Sequence, residues 1–452
     1  MNQFMPVIGL EVHIELATKS KMFCNCSADY FGAKPNTHVC PICLGLPGAM
    51  PKANKLAIEF AQKFALALNC QVQLGSKFDR KNYFYPDLAK GFQISQYDSP
   101  FSQKGYLAIQ IDRSSKNIDI TRAHLEEDTG KLTHATIEGR RVTLIDFNRS
   151  GVPLIEVVSE PDMNSAQEAK AYAQKLQRIA RYLKISDADM EKGSMRIEPN
   201  VSLRRESKVS GVSKVLEELP PYKVELKNIN SFKFAEKAIN FEIERQKKIL
   251  ESGKTPVQET RGWDEKNNRT VSQRGKELAH DYRYFPEPDL TPFTFNESYI
   301  NQLKGQLPEL PDAKIERFQK EYQLSNYDAE ILTREIDIAD YFEEAVKAGE
   351  KHKVTPKQIA NTLINQKLDI EKILPAKLIQ NIITQTQKTQ LDPKELEKIV
   401  KKVLLQNLKA VNDYKKGKEV ALGFLVGQVQ RELKEEGGPR QVKEMILRKL
   451  KP

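Results

Sequence analysis

Four of the five cysteines in this chain fall within twenty residues, as Cys24-Asn-Cys26 and Cys40-Pro-Ile-Cys43. Two thiolates one residue apart, and two more across a tight Pro-containing turn, supply a Cys₄ set that favours zinc or an iron–sulfur centre. A closed set of this kind leaves no coordination position for chemistry, so its role is structural. His38, two residues before Cys40, is a fifth candidate for the four places. The competing reading is two disulfides or free buried thiols. The N-terminus Met1-Asn-Gln-Phe-Met-Pro6 has no basic stretch ahead of an apolar core, so a cytoplasmic protein is expected, and cytosolic disulfides are uncommon. A zinc knuckle over about 21–48 is therefore the expectation, and Cys70, at the end of an apolar run, reads as an ordinary core thiol.

Beyond the knuckle the hydrophobic pattern has two periods. Residues 7–16 alternate, with Ile8, Leu10, Val12, Ile14 and Leu16 on one face and Glu11, His13 and Glu15 on the other. Residues 195–204 repeat this with Met195, Ile197, Val201 and Leu203 against Arg196, Glu198, Asn200, Ser202 and Arg204, and Tyr222–Asn228 forms a third such strand. Pro199 lies within the second strand and cannot donate a ladder hydrogen bond. One apolar and one charged face indicate an antiparallel sheet with helices on one side, an α+β fold. The covering helices are predicted over 54–68, from the capping box Ser165-Ala-Gln-Glu168 to about Leu183, and from near Ser231 to a C-cap at Gly253. Prolines at 286, 288, 292, 308 and 311 then mark a boundary, and the pattern beyond is helical. The domains expected are 1–293, a helical domain over 294–392, and a three-helix tail over 393–452.

The net charge of +10 is unevenly placed: residues 351–452 hold 22 Lys+Arg against 11 Asp+Glu, whereas residues 1–350 hold 49 against 50. A basic terminal module suits a phosphate backbone as partner, although a solvated helical surface has the same composition. No apolar stretch approaches the length of a membrane span.

Carboxylates and an imidazole on one strand face are what a divalent cation needs when it must keep positions open for phosphates. Glu11 and His13 point the same way, Arg122-Ala-His124-Leu-Glu126-Glu127-Asp128 adds carboxylates that repel one another, and Glu198 can complete the group. Such a set suits magnesium or manganese and phosphoryl transfer; the plainer reading is a solvated sheet face. The run Asp79–Asp98 combines aromatic rings with Lys81, Lys90 and Gly91, and His280–Pro288 is a second ring-rich segment. Gly253-Lys254-Thr255 only imitates a P-loop, because position 248 is lysine where the first glycine belongs. No dinucleotide fingerprint, metalloprotease helix or nucleophile elbow occurs, and nothing resembles a glutaminase nucleophile.

Taken together, these segments resemble the B-subunit family of the tRNA-dependent amidotransferases. The resemblance covers almost the whole chain and rests on Ile8-Gly-Leu-Glu-Val-His13, Lys21-Met-Phe-Cys-Asn-Cys26, Val39–Gly48, Gly91-Phe-Gln-Ile-Ser-Gln-Tyr-Asp98 and Phe147–Glu156. Glu225–Ser231, Glu259-Thr-Arg-Gly-Trp263, Asp281–Asp289 and Gly423-Phe-Leu-Val-Gly-Gln428 extend it. It implies a glutamine-synthetase-like catalytic cradle, a helical domain and a YqeY-like tail that binds tRNA. The implied activity is that of a carbon–nitrogen ligase with glutamine as amido donor. ATP phosphorylates the side-chain carboxylate of a mischarged Glu-tRNA(Gln) or Asp-tRNA(Asn), and ammonia from the partner amidase, the A chain, then displaces phosphate. A small third chain, C, makes up a heterotrimer. Carried onto matching positions, Glu11, His13, Glu126, Glu127 and Glu198 become catalytic residues and magnesium ligands. Lys81, Lys90, Gln93 and Ser95 become nucleotide contacts, and Cys24, Cys26, Cys40 and Cys43 hold structural zinc. The other class of function compatible with the sequence is a zinc-containing tRNA-binding scaffold without ATP chemistry. The helical region around 345–392 looks shorter than the family's usual form.

Overall fold

The computed structural model describes residues 4–111, 114–205, 207–209, 212–214, 219–275, 282–366, 368–388, 393–433 and 439–450. It divides into two compact units, Met1–Pro311 and Asp312–Pro452.

The first unit is built on a nine-stranded sheet. Its spatial order is β16 (Arg269–Gly275), β15 (Glu259–Asp264), β14 (Val224–Lys227), β11 (Met195–Arg205), β1 (Phe4–Glu15), β10 (Pro153–Ser159), β7 (Ser114–Glu127), β6 (Ser102–Ile111) and β2 (Gln71–Val72). Every pairing is antiparallel except β14 with β15. Four small sheets flank it. They are β17 (Phe285–Pro286) with β4 (Asp79–Asn82) and β5 (Phe92–Ser95), β18 (Phe293–Thr294) with β3 (Gly75–Ser76), β8 (Lys131–Ile137) with β9 (Arg140–Asp146), and β12 (Ser207–Val209) with β13 (Val212–Lys214).

The alternation read from the sequence decides which face is covered. Ile8, Leu10, Val12 and Ile14 join Leu125, Ile155, Val157, Ile197 and Val201 in one core with α1 (Lys55–Ala67), α2 (Ala166–Tyr182) and α3 (Phe232–Glu251). Phe64, Tyr172, Leu176 and Ile239 are among the buried residues these helices contribute. Asn54, Ser165 and Ser231 cap them, each side chain accepting from a backbone N–H of the first turn. Glu168 reaches back to the Asn164 N–H at 2.9 Å, one residue before the cap itself. α3 stops where Gly253 adopts φ +81, as the C-cap reading requires. β11 runs straight through Pro199, which lies opposite Leu10; its ladder with β14 holds only Asn200–Glu225 and Val201–Val224 and ends where proline has no N–H to extend it.

α4 (Glu297–Gly305) belongs to this unit, its Tyr299 hydroxyl donating to Gln62 of α1 at 3.0 Å. The expected joint at 293/294 thus lies inside the first compact unit, which continues to Pro311. On α3, Glu242 is fully buried and accepts from Gln246 at 2.9 Å and Thr270 at 3.1 Å, with Arg245 at 2.7 Å and Arg261 at 3.5 Å. Glu242→Ala leaves these donors and cations uncompensated, so chemical denaturation should show stability lower by about 3 kcal/mol.

The second unit is helical. α5 (Pro311–Tyr322), α6 (Asn326–Leu332), α7 (Ile336–Glu350), α8 (Pro356–Gln366) and α9 (Pro375–Lys388) enclose Phe318, Phe342, Ile359 and Leu378. α10 (Pro393–Gln406), α11 (Leu408–Lys415), α12 (Val420–Glu432) and α13 (Pro439–Leu450) enclose Leu396, Val400, Leu425 and Val442. Among the described residues the tail therefore has four helices where the pattern suggested three, because the chain breaks at Asn407. Five of these nine helices open on proline, whose missing N–H costs nothing in the first turn.

Candidate active site and metal centres

The face of the sheet turned away from the helices gathers charge because the register brings polar positions of four strands side by side. Glu11 lies between Glu198 of β11 and Val158 of β10, and His13 lies between Arg196 and Glu156. One strand further, Glu156 is opposite His124 and Leu154 is opposite Glu126. Antiparallel pairing turns a period-two pattern into two neighbouring clusters.

In the first, one ligand atom each from His13, Glu126 and Glu156 lie within 4.8 Å of one another. His13 Nε2 is 3.4 Å from Glu156 and 3.9 Å from Glu126, and His124 Nε2 is 3.4 Å and 3.7 Å from the same two carboxylates. The Nδ1 atoms of both histidines have no hydrogen-bond partner among the described residues. Burial opposes charge on His13, but Glu156, Glu198 and Glu126 outweigh it and lift its pKa to about 9. Burial likewise opposes ionisation of Glu156, yet His124, His13 and Lys81 hold it well below the usual carboxylate range. Glu126 is held low against its own burial by the His124 hydrogen bond and Lys81.

In the second cluster Glu11, Glu198 and Glu225 converge within the same 4.8 Å limit. Asn200 Nδ2 donates to Glu11 at 2.9 Å, Lys227 lies 2.9 Å from Glu198 and 3.4 Å from Glu225, and the Thr260 hydroxyl donates to Glu225 at 2.7 Å. Burial, then Glu156 and Glu198, push the Glu11 pKa up. Carboxylates that repel in this way fit a divalent cation, and hard oxygen donors with one imidazole fit magnesium or manganese. A cleft of about 390 Å³ opens beside this cluster, lined by Val7, Gly9, Pro161, Pro221 and Tyr222.

The four cysteines form a third group, their sulfurs all within 4.8 Å and none in a disulfide. A hydrogen bond from Cys24, opposed by burial and aided by the Cys40 backbone and Lys21, draws the Cys43 thiol down to about 4. The Lys21 ammonium is 3.7 Å from Cys43 Sγ and donates to the His38 carbonyl at 2.7 Å and the Phe147 carbonyl at 3.3 Å. His38 thus serves through its backbone, while the cysteines alone make up the four-ligand group. Soft, clustered sulfurs with a thiolate already favoured fit zinc.

The remaining expected residues separate. Glu127, next to Glu126, is engaged outside the cluster: Lys90 pairs with it and the Ile94 N–H donates to it at 3.0 Å. Gln93 donates to the Glu127 carbonyl at 2.7 Å and Ser95 to Glu126 at 3.0 Å, so both clamp β5 and the carboxylate strand together. Lys81 faces the first cluster with its ammonium 5.0 Å above the Tyr282 ring, and Glu126 and Glu156 raise its pKa against burial. His280 and Asp281 lie outside the described residues.

Sequence reasoning gave no role to Glu156, Glu225, His124 or Arg122. A carboxylate inside the apolar run Pro153–Ser159 was the available signal for Glu156. Arg122 shares the charged face, and its Nε is buried with no hydrogen-bond partner among the described residues.

Comparison with known proteins gives a consistent result. A family model described as the GatB/GatE catalytic domain matches residues 6–301, and one described as the GatB domain matches residues 357–450. The chain is 45% identical over 493 residues to the B subunit of the aspartyl/glutamyl-tRNA(Asn/Gln) amidotransferase of Carboxydothermus hydrogenoformans, covering 100% of this chain and 99% of that protein. Proteins of the same name from Thermotoga maritima and Thermodesulfovibrio yellowstonii are each 44% identical, covering 98% and 99% of this chain and 98% and 100% of their own lengths. Among the described residues no helix is long and apolar enough to cross a membrane.

Proposed function

Because the chain belongs to the GatB/GatE family along its length, we propose that it works as the B subunit of an aspartyl/glutamyl-tRNA(Asn/Gln) amidotransferase. It is one component of a heterotrimeric enzyme, with an amidase, the A chain, that supplies ammonia and a small C chain, acting on aminoacyl-tRNA in the cytoplasm. In our reading this chain activates the side-chain carboxylate of the mischarged amino acid with ATP and completes the amidation. Activation is required because a carboxylate does not yield its oxygen to ammonia, whereas an acyl phosphate offers a good leaving group.

The observation that carries this reading is the His13–Glu126–Glu156 cluster, set beside Glu11, Glu198 and Glu225 on one charged sheet face of a family member. These residues would hold magnesium, which supplies positive charge to the phosphates during transfer. Lys81 brings a further cation to the same face, and the cleft beside Glu11 is where we place the nucleoside of ATP. Cys24, Cys26, Cys40 and Cys43 would hold structural zinc. We retain a cradle over 1–293 and a YqeY-like tail over 393–452 as functional divisions, the basic tail following the tRNA body through phosphate contacts. A tRNA-binding scaffold without ATP chemistry is the weaker reading, since it gives no reason to concentrate carboxylates and imidazoles on one surface.

The test is reconstitution. Mixed with the A and C chains, glutamine, magnesium and Glu-tRNA(Gln) or Asp-tRNA(Asn), the protein should give amidated tRNA, with ADP and phosphate formed in step with the amide. Amide formation that does not depend on ATP, or none with either tRNA, would overturn the assignment.

A further inference from the structure

Large aromatic rings are normally turned inward, yet one edge of the first unit exposes several beside the charged face. Phe84 is 94% exposed, Tyr85 55% and Tyr97 52%. Tyr97 and Phe84 are held in place by specific contacts. Tyr97 stacks on Tyr284 with centroids 4.3 Å apart and planes 7° from parallel. Tyr284 meets Tyr282 edge-on at 6.1 Å, and Tyr282 meets Tyr83 at 5.9 Å. Asn82 latches this strap, its N–H donating to the Tyr282 carbonyl at 2.9 Å and its side chain to the Arg283 carbonyl at 2.8 Å. On the far side Phe84 lies over Gly91, where an added Cβ would meet its ring at 3.3 Å and φ is +74. A glycine at that turn lets the backbone pass under the ring.

Two features say what such a surface suits. Phe84, Tyr85 and Tyr97, the last backed by Tyr284, are more than half exposed rather than set in an enclosed slot, which fits successive unstacked bases of a single strand better than one buried heterocycle. It also adjoins a cation and the reacting centre: Lys81 Nζ lies 5.0 Å from the Tyr282 centroid and 6.0 Å from that of Tyr83. Tyr284 has its hydroxyl pushed up to about 12 by burial, with Glu126 and Glu156 adding to the effect against Lys81. The aminoacyl group is carried on the terminal ribose of tRNA, so the last unpaired bases must rest close to those carboxylates.

We propose that Phe84, Tyr85, Tyr97 and Tyr284 form a stacking surface for the unpaired 3′-terminal nucleotides of the aminoacyl-tRNA, with Lys81 beside their phosphates. The proposal rests on the functional reading above. Base stacking on one ring is worth enough to change affinity roughly tenfold.

The experiment uses the assembled heterotrimer and tRNA carrying 2-aminopurine at its 3′ end, uncharged for binding and acylated for kinetics. The wild-type complex should quench the fluorophore. Phe84→Ala and Tyr97→Ala should each lose most of the quench and raise the tRNA KM about tenfold, with the ATP KM unchanged and kcat at saturating tRNA within about twofold. Phe84→Trp should restore the quench, and because Phe84 is exposed its loss leaves the fold intact. Unchanged quench and tRNA KM would overturn the proposal, as would an increase confined to the ATP KM, which would assign the rings to the adenine of ATP. Quenching by uncharged tRNA needs no chemistry, so its result stands apart from whether the wild-type complex amidates.

Discussion

Glu156→Gln in the assembled heterotrimer is expected to lower ATP-dependent amidation roughly a thousandfold, while tRNA is retained and glutamine hydrolysis by the partner amidase continues. The substitution keeps the shape of the side chain and removes its charge. That charge is the point at which His13 and His124 meet, each 3.4 Å away, and it is one of three candidate ligand positions within 4.8 Å. An amide oxygen is a far weaker partner for a divalent ion, and its NH₂ would be turned toward an imidazolium or an ion. Glu126→Ala goes further, because it also strands the Ser95 hydroxyl that now donates to it at 3.0 Å, and amidation should be abolished with tRNA binding preserved. Two measurements separate the cause from a folding defect. Manganese titration should show weakened binding in both variants, and thermal melting should match the parent within a few degrees. Amidation by either variant at near-native rate would remove the cluster from the chemistry.

The contrast between His13 and Glu156 shows what a linear pattern can and cannot reveal. Strand β1 alternates cleanly, so Glu11 and His13 declare their shared face, and Glu198 does the same on β11 despite Pro199. Strand β10 is nearly all apolar and buried on both faces, so period two carries no information there. Only the pairing of Glu156 with His13 on one side and His124 on the other makes it part of the site. Register is a tertiary property, and no local propensity fixes it. Gln93 and Ser95 illustrate the reverse. Their residue types suit a nucleotide contact, but β5 lies against the carboxylate strand and uses both side chains to hold it. The prolines at 308 and 311 were visible as boundary signals, whereas α4 remained attached to the first unit through α1, a packing choice that no periodicity announces.

Removing the zinc proposed for the four cysteines should unfold residues 21–48 and leave the charged sheet face standing. The reason lies in what this segment lacks: between β1 and α1 the described residues contain no helix and no named strand, only the isolated Ser20–Ser27 bridge and turns such as Leu44 N–H to the Cys40 carbonyl at 3.1 Å. A stretch this long without regular structure is anchored at its start by the buried Met22 and Phe23. Hydrogen bonds such as Asn36 N–H to Asp146 at 2.9 Å and His38 N–H to Asn148 at 2.8 Å tie it to the end of β9 and the loop that follows, and between these ties the four sulfurs and Lys21 hold it together. Structural zinc in small knuckles is worth about 10–16 kcal/mol, most of it expressed as folding. Cys40→Ser, or a strong chelator, should therefore abolish zinc binding, raise amide exchange across 21–48 and lower the melting temperature by on the order of 10 °C. ATP cleavage should weaken and not vanish, because the knuckle touches the chemistry only indirectly. At Gly45 even a Cβ would collide with Lys90, and Lys90 is the partner of Glu127, whereas His13, Glu126 and Glu156 are held by strands and by Ser95. Metal analysis finding no zinc, with Cys24 and Cys26 oxidised to disulfides, would contradict this account. Complete loss of ATP cleavage on gentle chelation, with the sheet intact by exchange, would instead place the knuckle inside the catalytic machinery.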